Sequence, residues 1–322
     1  MTKGPFSYKS LPKRKVACPI CDGQEFEILA SRDRYDMGVS TAGCKSCGLV
    51  MTNPMLASEA MNEFYSHHYR QYYHKVEVPT LEHIQAYELD RRAAYTADYL
   101  SQYGLLADCK RMLDVGCGEG SILREVKRRS PETYLIGIEP GQGFSKFARI
   151  HADCIVYASL SELITRQDSA FDLIVVNHVL EHVDNPVQFL LTLKQVLSDD
   201  GKIYLDVPDV SAYSNVTDLH IAHLYHFSTR TLAAATERAG LQIVATEQHC
   251  PPRHPRSIRC VLGLRRSSDG LLLSSKQLDD ANVHDLIRSI NRRARLYFVR
   301  QRIIGRLLSA ARGLFRKAFS RG

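Results

Sequence analysis

No run of about 18 or more uncharged apolar residues occurs in the 322-residue chain, so no membrane-spanning helix is expected. The first fifteen residues, MTKGPFSYKSLPKRK, are basic but lack the apolar core of a secretory signal. A cytoplasmic address is therefore expected. There is no internal repeat. Acidic residues vanish at one end: from Arg288 onward the chain has eleven Lys/Arg and no Asp or Glu. The rest carries 31 basic against 35 acidic residues, a net of −4, although the whole chain is +7. The basic character belongs to a C-terminal appendage, which argues against a whole surface built to grip a polyanion. The nine cysteines, several in CxxC pairs, read as metal ligands and reduced thiols, not as a disulfide scaffold.

What is present suits a globular enzyme-sized chain: 44% hydrophobic and 24% charged residues, enough for one substantial α/β domain with smaller attachments. Four segments are expected: 1–52 with two CxxC pairs, a polar, Tyr-rich helical stretch over 53–107, an alternating strand and helix pattern over 108–265, and a linker and basic tail over 266–322. Within the third, strands are expected at RMLDV, YLIGIE, CIVYA, FDLIVV and KIYLDVP, with later ones at LQIVATEQ and SIRCVLGL. Short apolar runs separated by amphipathic ones predict an α/β fold, a mostly parallel sheet with crossover helices.

The most enzyme-like stretch is RMLDVGCGEGSILREV, residues 111–126. A strand ends at Asp114, glycines follow at 116, 118 and 120, and a helix opens near Ser121. Glycines there let the backbone turn sharply and approach a ligand closely. A second strand stops at Glu139, where an acid can accept hydrogen bonds from both hydroxyls of a ribose.

The D-x-G-x-G-x-G spacing resembles motif I of class I S-adenosylmethionine-dependent methyltransferases. FDLIVVNHVLEHVDNP, LSDDGKIYLDVPD and HFSTRTLAAATERAGLQIV are similar to later segments of that family, so the resemblance covers roughly 108–250 in the right order. It implies a doubly wound, Rossmann-like seven-stranded sheet, S-adenosylmethionine at the carboxyl ends of the strands, and SN2 transfer of a methyl group. By the same resemblance Asp114, Gly116, Cys117, Gly118 and Gly120 approach the methionine part of the cofactor and Glu139, followed by Pro140, the ribose. Asn177 faces the cleft. In the loop after the third strand, only Ser159 or Glu162 stands where the family often has an acid near the adenine.

Methylation of an alcohol needs a base, and histidine is the usual choice near neutral pH. His178 is the first candidate, at the end of the fourth strand; His223 is the second. His182 shares a face with His178 if the turn is helical, and reads more as a structural or cofactor-facing residue than as the base. His226 reads as a metal partner of His223, or as a hydrogen-bonder under the next helix.

Cys18 and Cys21, then Cys44 and Cys47, give C-x2-C-x22-C-x2-C, a closed four-thiolate set that favours structural Zn²⁺ in a small ribbon, with iron as the other metal the spacing allows. Between the pairs lie five acids and two arginines, poor clothing for phosphate binding, so a nucleic-acid partner is not expected. The segment resembles the N-terminal zinc-binding segment of bacterial sugar, polysaccharide and natural-product methyltransferases. In the basic tail Ile304, Leu307, Leu308, Ala311, Phe315 and Phe319 fall at helical spacing among arginines. Residues 288–322 can thus touch an anionic membrane surface, or dock on the protein itself. The expected function is methyl transfer to a small-molecule or glycan-type acceptor, as an O-methyltransferase of saccharide biosynthesis. The alternatives are an RNA methyltransferase that uses ribbon and tail as its grip, and a cofactor-binding scaffold without turnover.

Overall fold

A computed structural model describes residues 8–69, 72, 76–265 and 282–319. The chain opens with a short strand β1 (Lys13–Arg14) and then builds a small antiparallel sheet from β2 (Phe26–Ala30), β3 (Thr41–Cys44) and β4 (Val50–Thr52); β5 (Met55–Leu56) returns to pair with β1. Cys44 ends β3, Cys47 lies in the turn before β4, and Cys18 and Cys21 precede β2. A helical segment from Ser58 to His68 follows, and Tyr65 Oη donates to the carbonyls of His182 and Ala222, both at 3.2 Å. The Tyr-rich segment is thereby held over the turn that carries His182.

The large sheet comprises β6 (Arg111–Val115), β7 (Tyr134–Ile138), β8 (Ile155–Tyr157), β9 (Phe171–Asn177) and β10 (Leu197–Pro208) in parallel pairs. A two-residue strand, β11 (Tyr225–His226), leaves this domain and pairs antiparallel with β4 of the small sheet. β12 (Leu241–His249) and β13 (Ser257–Leu264) then complete the large sheet, with β13 antiparallel to both β10 and β12. The order is β12-β13-β10-β9-β6-β7-β8, the seven-stranded, mostly parallel sheet that the resemblance implies. All seven strands expected from the apolar runs are there. In β9, Leu173 to Val176 are fully buried, as a central strand covered by helices on both faces requires.

The C-terminal helix, Val283–Phe319, docks on the protein over its first turns, one of the two expectations for this tail: Val283, Ile287, Ile290, Ala294 and Phe298 are buried against Leu29 and Ala30 of β2, Val50 of β4, and the Val210–Leu219 loop. The physical reason is a second apolar stripe, N-terminal to the one beginning at Ile304, that finds a complementary face on the small sheet. Arg288 pairs with Glu27, and His284 Nε2 donates to the Gly48 carbonyl at 3.0 Å. Beyond this anchor Val299, Ile303 and Ile304 are exposed, while the side chains of Leu307, Leu308, Ala311, Phe315 and Phe319 lie outside the described residues.

Candidate active site

β6 and β9 are neighbours whose following connections run to opposite sides of the sheet, so a crevice opens beyond their carboxyl ends. Gly116, Gly118 and Gly120 line it with φ of 76°, 58° and 83°. A Cβ on Gly116 would lie 2.5 Å from Val179 Cγ2, whereas one on Gly118 would meet nothing within 4 Å. Position 116 is thus closed by packing, and 118 presents bare backbone to open space. Cys117 turns away: a Cβ on Gly137 of β7 would lie 2.6 Å from its sulfur, and its backbone N–H donates to Ile138 O at 3.0 Å.

Asp114 is buried, and its Oδ2 has no hydrogen-bond partner. Burial, with Glu119 and Glu139 adding repulsion, pushes its carboxyl up to about 8. Glu139 lies at the end of β7, buried, and accepts the Gly141 N–H at 2.6 Å; Pro140 beside it is exposed. Three carboxylates around one crevice suit a cationic ligand. Ser159 is engaged elsewhere: its Oγ caps the helix Leu160–Thr165 by accepting Glu162 N–H at 3.1 Å, and Glu162 Oε2 accepts Ala158 N–H at 2.9 Å.

On the other side of the crevice, Asn177 ends β9 in register with Asp206 of β10. The next residue, His178, has a φ of 56°, a left-handed conformation uncommon outside glycine, and its N–H donates to the Asp206 carbonyl at 2.9 Å. That kink carries its ring Nδ1 to 3.4 Å from Glu181 Oε1. Burial alone would lower this imidazole; Glu181 and Asp206 outweigh it, so the pKa is raised. The His254 ring packs against it at 4.4 Å between centroids and is itself pushed down to about 2 by burial, with His178 and Arg92 adding to it.

The structure gathers three of the four candidate histidines around Glu181, a residue 1% exposed whose two oxygens have no hydrogen-bond partner. His182 Nε2 lies 3.8 Å and His223 Nε2 4.0 Å from Oε1. The donor atoms of Glu181, His182 and His223 all fall within 4.8 Å of one another. Burial lowers His182 and lowers His223 further. His226 stands apart on β11, its Nδ1 3.0 Å from Tyr213 Oη, pushed down to about 3 by burial. Glu181, Asp206, His254 and Arg92 did not emerge from the sequence. An acid flanked by histidines in NHVLEH was the one local signal available; the others come together only through the fold.

The four cysteine sulfurs of Cys18, Cys21, Cys44 and Cys47 also lie within 4.8 Å of one another. Cys18–Cys47 and Cys21–Cys44 are 3.5 and 3.6 Å apart, far too long for disulfides and near the roughly 3.8 Å edge of a tetrahedron with metal–sulfur bonds of about 2.3 Å. A Cβ on Gly23 would lie 3.2 Å from Cys21 Sγ and 3.4 Å from Cys44 Sγ, so backbone approaches the sulfurs closely.

Known proteins are similar to this chain in sequence and in fold. Ubiquinone biosynthesis O-methyltransferase of Xanthomonas euvesicatoria is 29% identical over 153 residues, 41% of this chain and 63% of that protein. Its counterpart from Nitrosococcus oceani is 33% identical over 113 residues, 33% of this chain and 47% of that one. The chain spans about half the length of the curated relatives it matches. Among solved structures, a Burkholderia thailandensis 1,6-didemethyltoxoflavin-N1-methyltransferase, with that compound and S-adenosylhomocysteine bound, aligns over 68% of this chain and 96% of its own. It has a TM-score of 0.52 at 15% identity, a likeness of fold, the class I methyltransferase fold. Residues 81–246, just over half of the chain, match the family described as methyltransferase domain, and the chain therefore belongs to that methyltransferase family.

Proposed function

We propose that the protein transfers a methyl group from S-adenosylmethionine to a hydroxyl of a small-molecule or glycan-type acceptor. The observation that carries this reading is the crevice itself: a bare-backbone glycine turn and three carboxylates on one side, and a kinked histidine backed by a buried carboxylate on the other. The residues fit the cofactor, because Asp114 offers an unpartnered buried oxygen and Gly118 leaves room for close backbone approach. Bound there, S-adenosylmethionine supplies an electrophilic methyl on a sulfonium, and Asp114 would hold its amino end while Glu139 accepts from its ribose hydroxyls. With His178 Nδ1–H directed at Glu181, the free Nε2 takes the acceptor's hydroxyl proton as the oxygen attacks. Asp206 and Glu181 favour the imidazolium that results.

A saccharide is the favoured acceptor because the N-terminal cysteine segment resembles that of bacterial sugar, polysaccharide and natural-product methyltransferases, and because the body is net negative, which disfavours nucleic acid. Zn²⁺ would be held by Cys18, Cys21, Cys44 and Cys47 as a closed structural site. The exposed apolar and arginine-rich helix beyond Phe298 would rest on an anionic membrane surface, placing lipid-linked saccharides within reach. The test is transfer of labelled methyl from S-adenosylmethionine into cell extract separated into RNA, lipid-linked glycan and small-molecule fractions. Label in the glycan or small-molecule fraction is expected; label in RNA alone overturns the reading.

A further inference from the structure

Glu181 presents an electrostatic problem that general-base chemistry leaves unsolved. Both of its oxygens are buried and neither makes a hydrogen bond of ordinary length, the His178 Nδ1–H directed at Oε1 lying 3.4 Å away, so the carboxylate gives up most of its hydration for little in return. Its neighbours do not all relieve this. His182 Nδ1 lies 2.8 Å from the Ala222 carbonyl, which can only accept, so Nδ1 carries the hydrogen and Nε2 presents a lone pair toward the carboxylate. Acceptor therefore faces acceptor at 3.8 Å. A cation between them resolves the conflict. An imidazole that donates its far N–H to a backbone carbonyl is also the usual posture of a metal-ligating histidine.

We infer that Glu181, His182 and His223 form a second metal site, separate from the cysteine cluster, that binds a divalent transition-metal ion. The donor set is two imidazoles and one carboxylate, a combination that suits Zn²⁺, Fe²⁺, Co²⁺ or Ni²⁺ better than Mg²⁺ or Ca²⁺. Bonds of about 2.0–2.2 Å place donors of a tetrahedral ion about 3.4 Å apart, so each Nε2 needs to close on Oε1 by about half an ångström from 3.8 and 4.0 Å, and the two imidazoles, within 4.8 Å of each other, need to close as well. Three protein donors leave a coordination position open. His182 and His223 are partly exposed, so that position can reach the acceptor side of the crevice. Its occupant there would be the acceptor oxygen, a role that rests on the proposed methyl transfer; the metal binding itself does not.

The experiment saturates the full chain with Zn²⁺, removes loose metal by gel filtration, and measures zinc by mass spectrometry in wild type, Glu181→Gln, His182→Gln and His223→Asn. Wild type should retain one more equivalent than each variant, while all four keep the same far-ultraviolet circular dichroism and the ribbon's own metal. Co²⁺ loading separates the two sites, because four thiolates give sulfur-to-metal charge-transfer absorption and the histidine-carboxylate site gives only ligand-field bands. Equal zinc in wild type and all three variants, or a cobalt spectrum carrying thiolate features alone, overturns the inference. Calorimetric binding of S-adenosylhomocysteine to the same samples reports on the methyltransferase reading separately: unchanged cofactor binding with no second metal sinks this site only.

Discussion

Asp114 offers the sharpest test of the cofactor crevice. With its carboxyl at about 8, about 0.9 of the molecules hold a neutral Asp114 at pH 7. A cationic ligand beside it returns the group toward the ordinary carboxylate range of about 4, so binding releases about 0.9 proton at pH 7 and about 0.1 at pH 9. Two readouts follow. The calorimetric enthalpy of S-adenosylmethionine binding at pH 7 should vary linearly with the ionisation enthalpy of the buffer, and affinity should tighten about tenfold between pH 7 and pH 9. Asp114→Asn should lose both effects, and the difference between the two proteins removes the ligand's own titration. A buffer-independent enthalpy for wild type at pH 7 would refute the reasoning. The same group sets the sign of a stability effect in the cofactor-free protein. Its folded pKa lies above its unfolded one, so its favourable contribution is complete below about pH 4 and is lost progressively as pH rises toward 8.

Other expectations concern the remaining parts. His178→Ala should lower kcat by about 100-fold with cofactor affinity retained, as loss of a general base requires; near-wild-type turnover would remove His178 from the chemistry. Gly116→Ala combines a left-handed backbone costing about 1–2 kcal/mol with a Cβ 2.5 Å from Val179, so weaker cofactor binding and a lower Tm are expected together in titration and melting curves. Cys44→Ser should abolish ribbon metal, and acceptor turnover should fall more steeply than S-adenosylhomocysteine affinity does; equal losses would disconnect the ribbon from the acceptor side. Deleting residues 299–322 should abolish co-sedimentation with anionic vesicles while leaving the thermal transition in place, and vesicle binding equal to wild type would assign the contact elsewhere.

How far each of these parts could be read in advance follows from where its information resides. The strands of the large sheet were legible because each is a short run of apolar residues bounded by turn-forming ones; FDLIVV announces a strand buried on both faces without any help from its neighbours. The tetrathiolate set was legible because two CxxC knuckles are local signatures. β11 was not. Its two residues, Tyr225 and His226, sit in a histidine-rich loop with no alternation, and they form a strand only because β4 offers a free edge. Glu181 was hidden for a related reason. In LEHV it looks like one acid in a turn, and its significance depends on His223, 42 positions away, arriving beside it. The stripe from Val283 to Phe298 is as periodic as the later one, but periodicity says that a face is apolar and not what covers it.

These nonlocal contacts tie the ribbon to the segment that carries His223. Cys44 closes β3, which pairs with β4, and β4 pairs with β11, so two ladder steps of about 4.8 Å each separate the cysteine strand from the strand that follows His223. Arg230 Nη2, from the helix after β11, donates to the Cys47 carbonyl at 2.6 Å, and His284 of the C-terminal helix donates to the next carbonyl, that of Gly48. One knuckle thus fixes two distant segments, and the thiolates fix the knuckle. Asp114 and Glu139 belong to the other sheet, on β6 and at the end of β7. On the proposed reading, a metal in the ribbon would therefore act on the acceptor side, through the ladder and knuckle contacts that hold the His220–His226 loop, and not on the glycine turn.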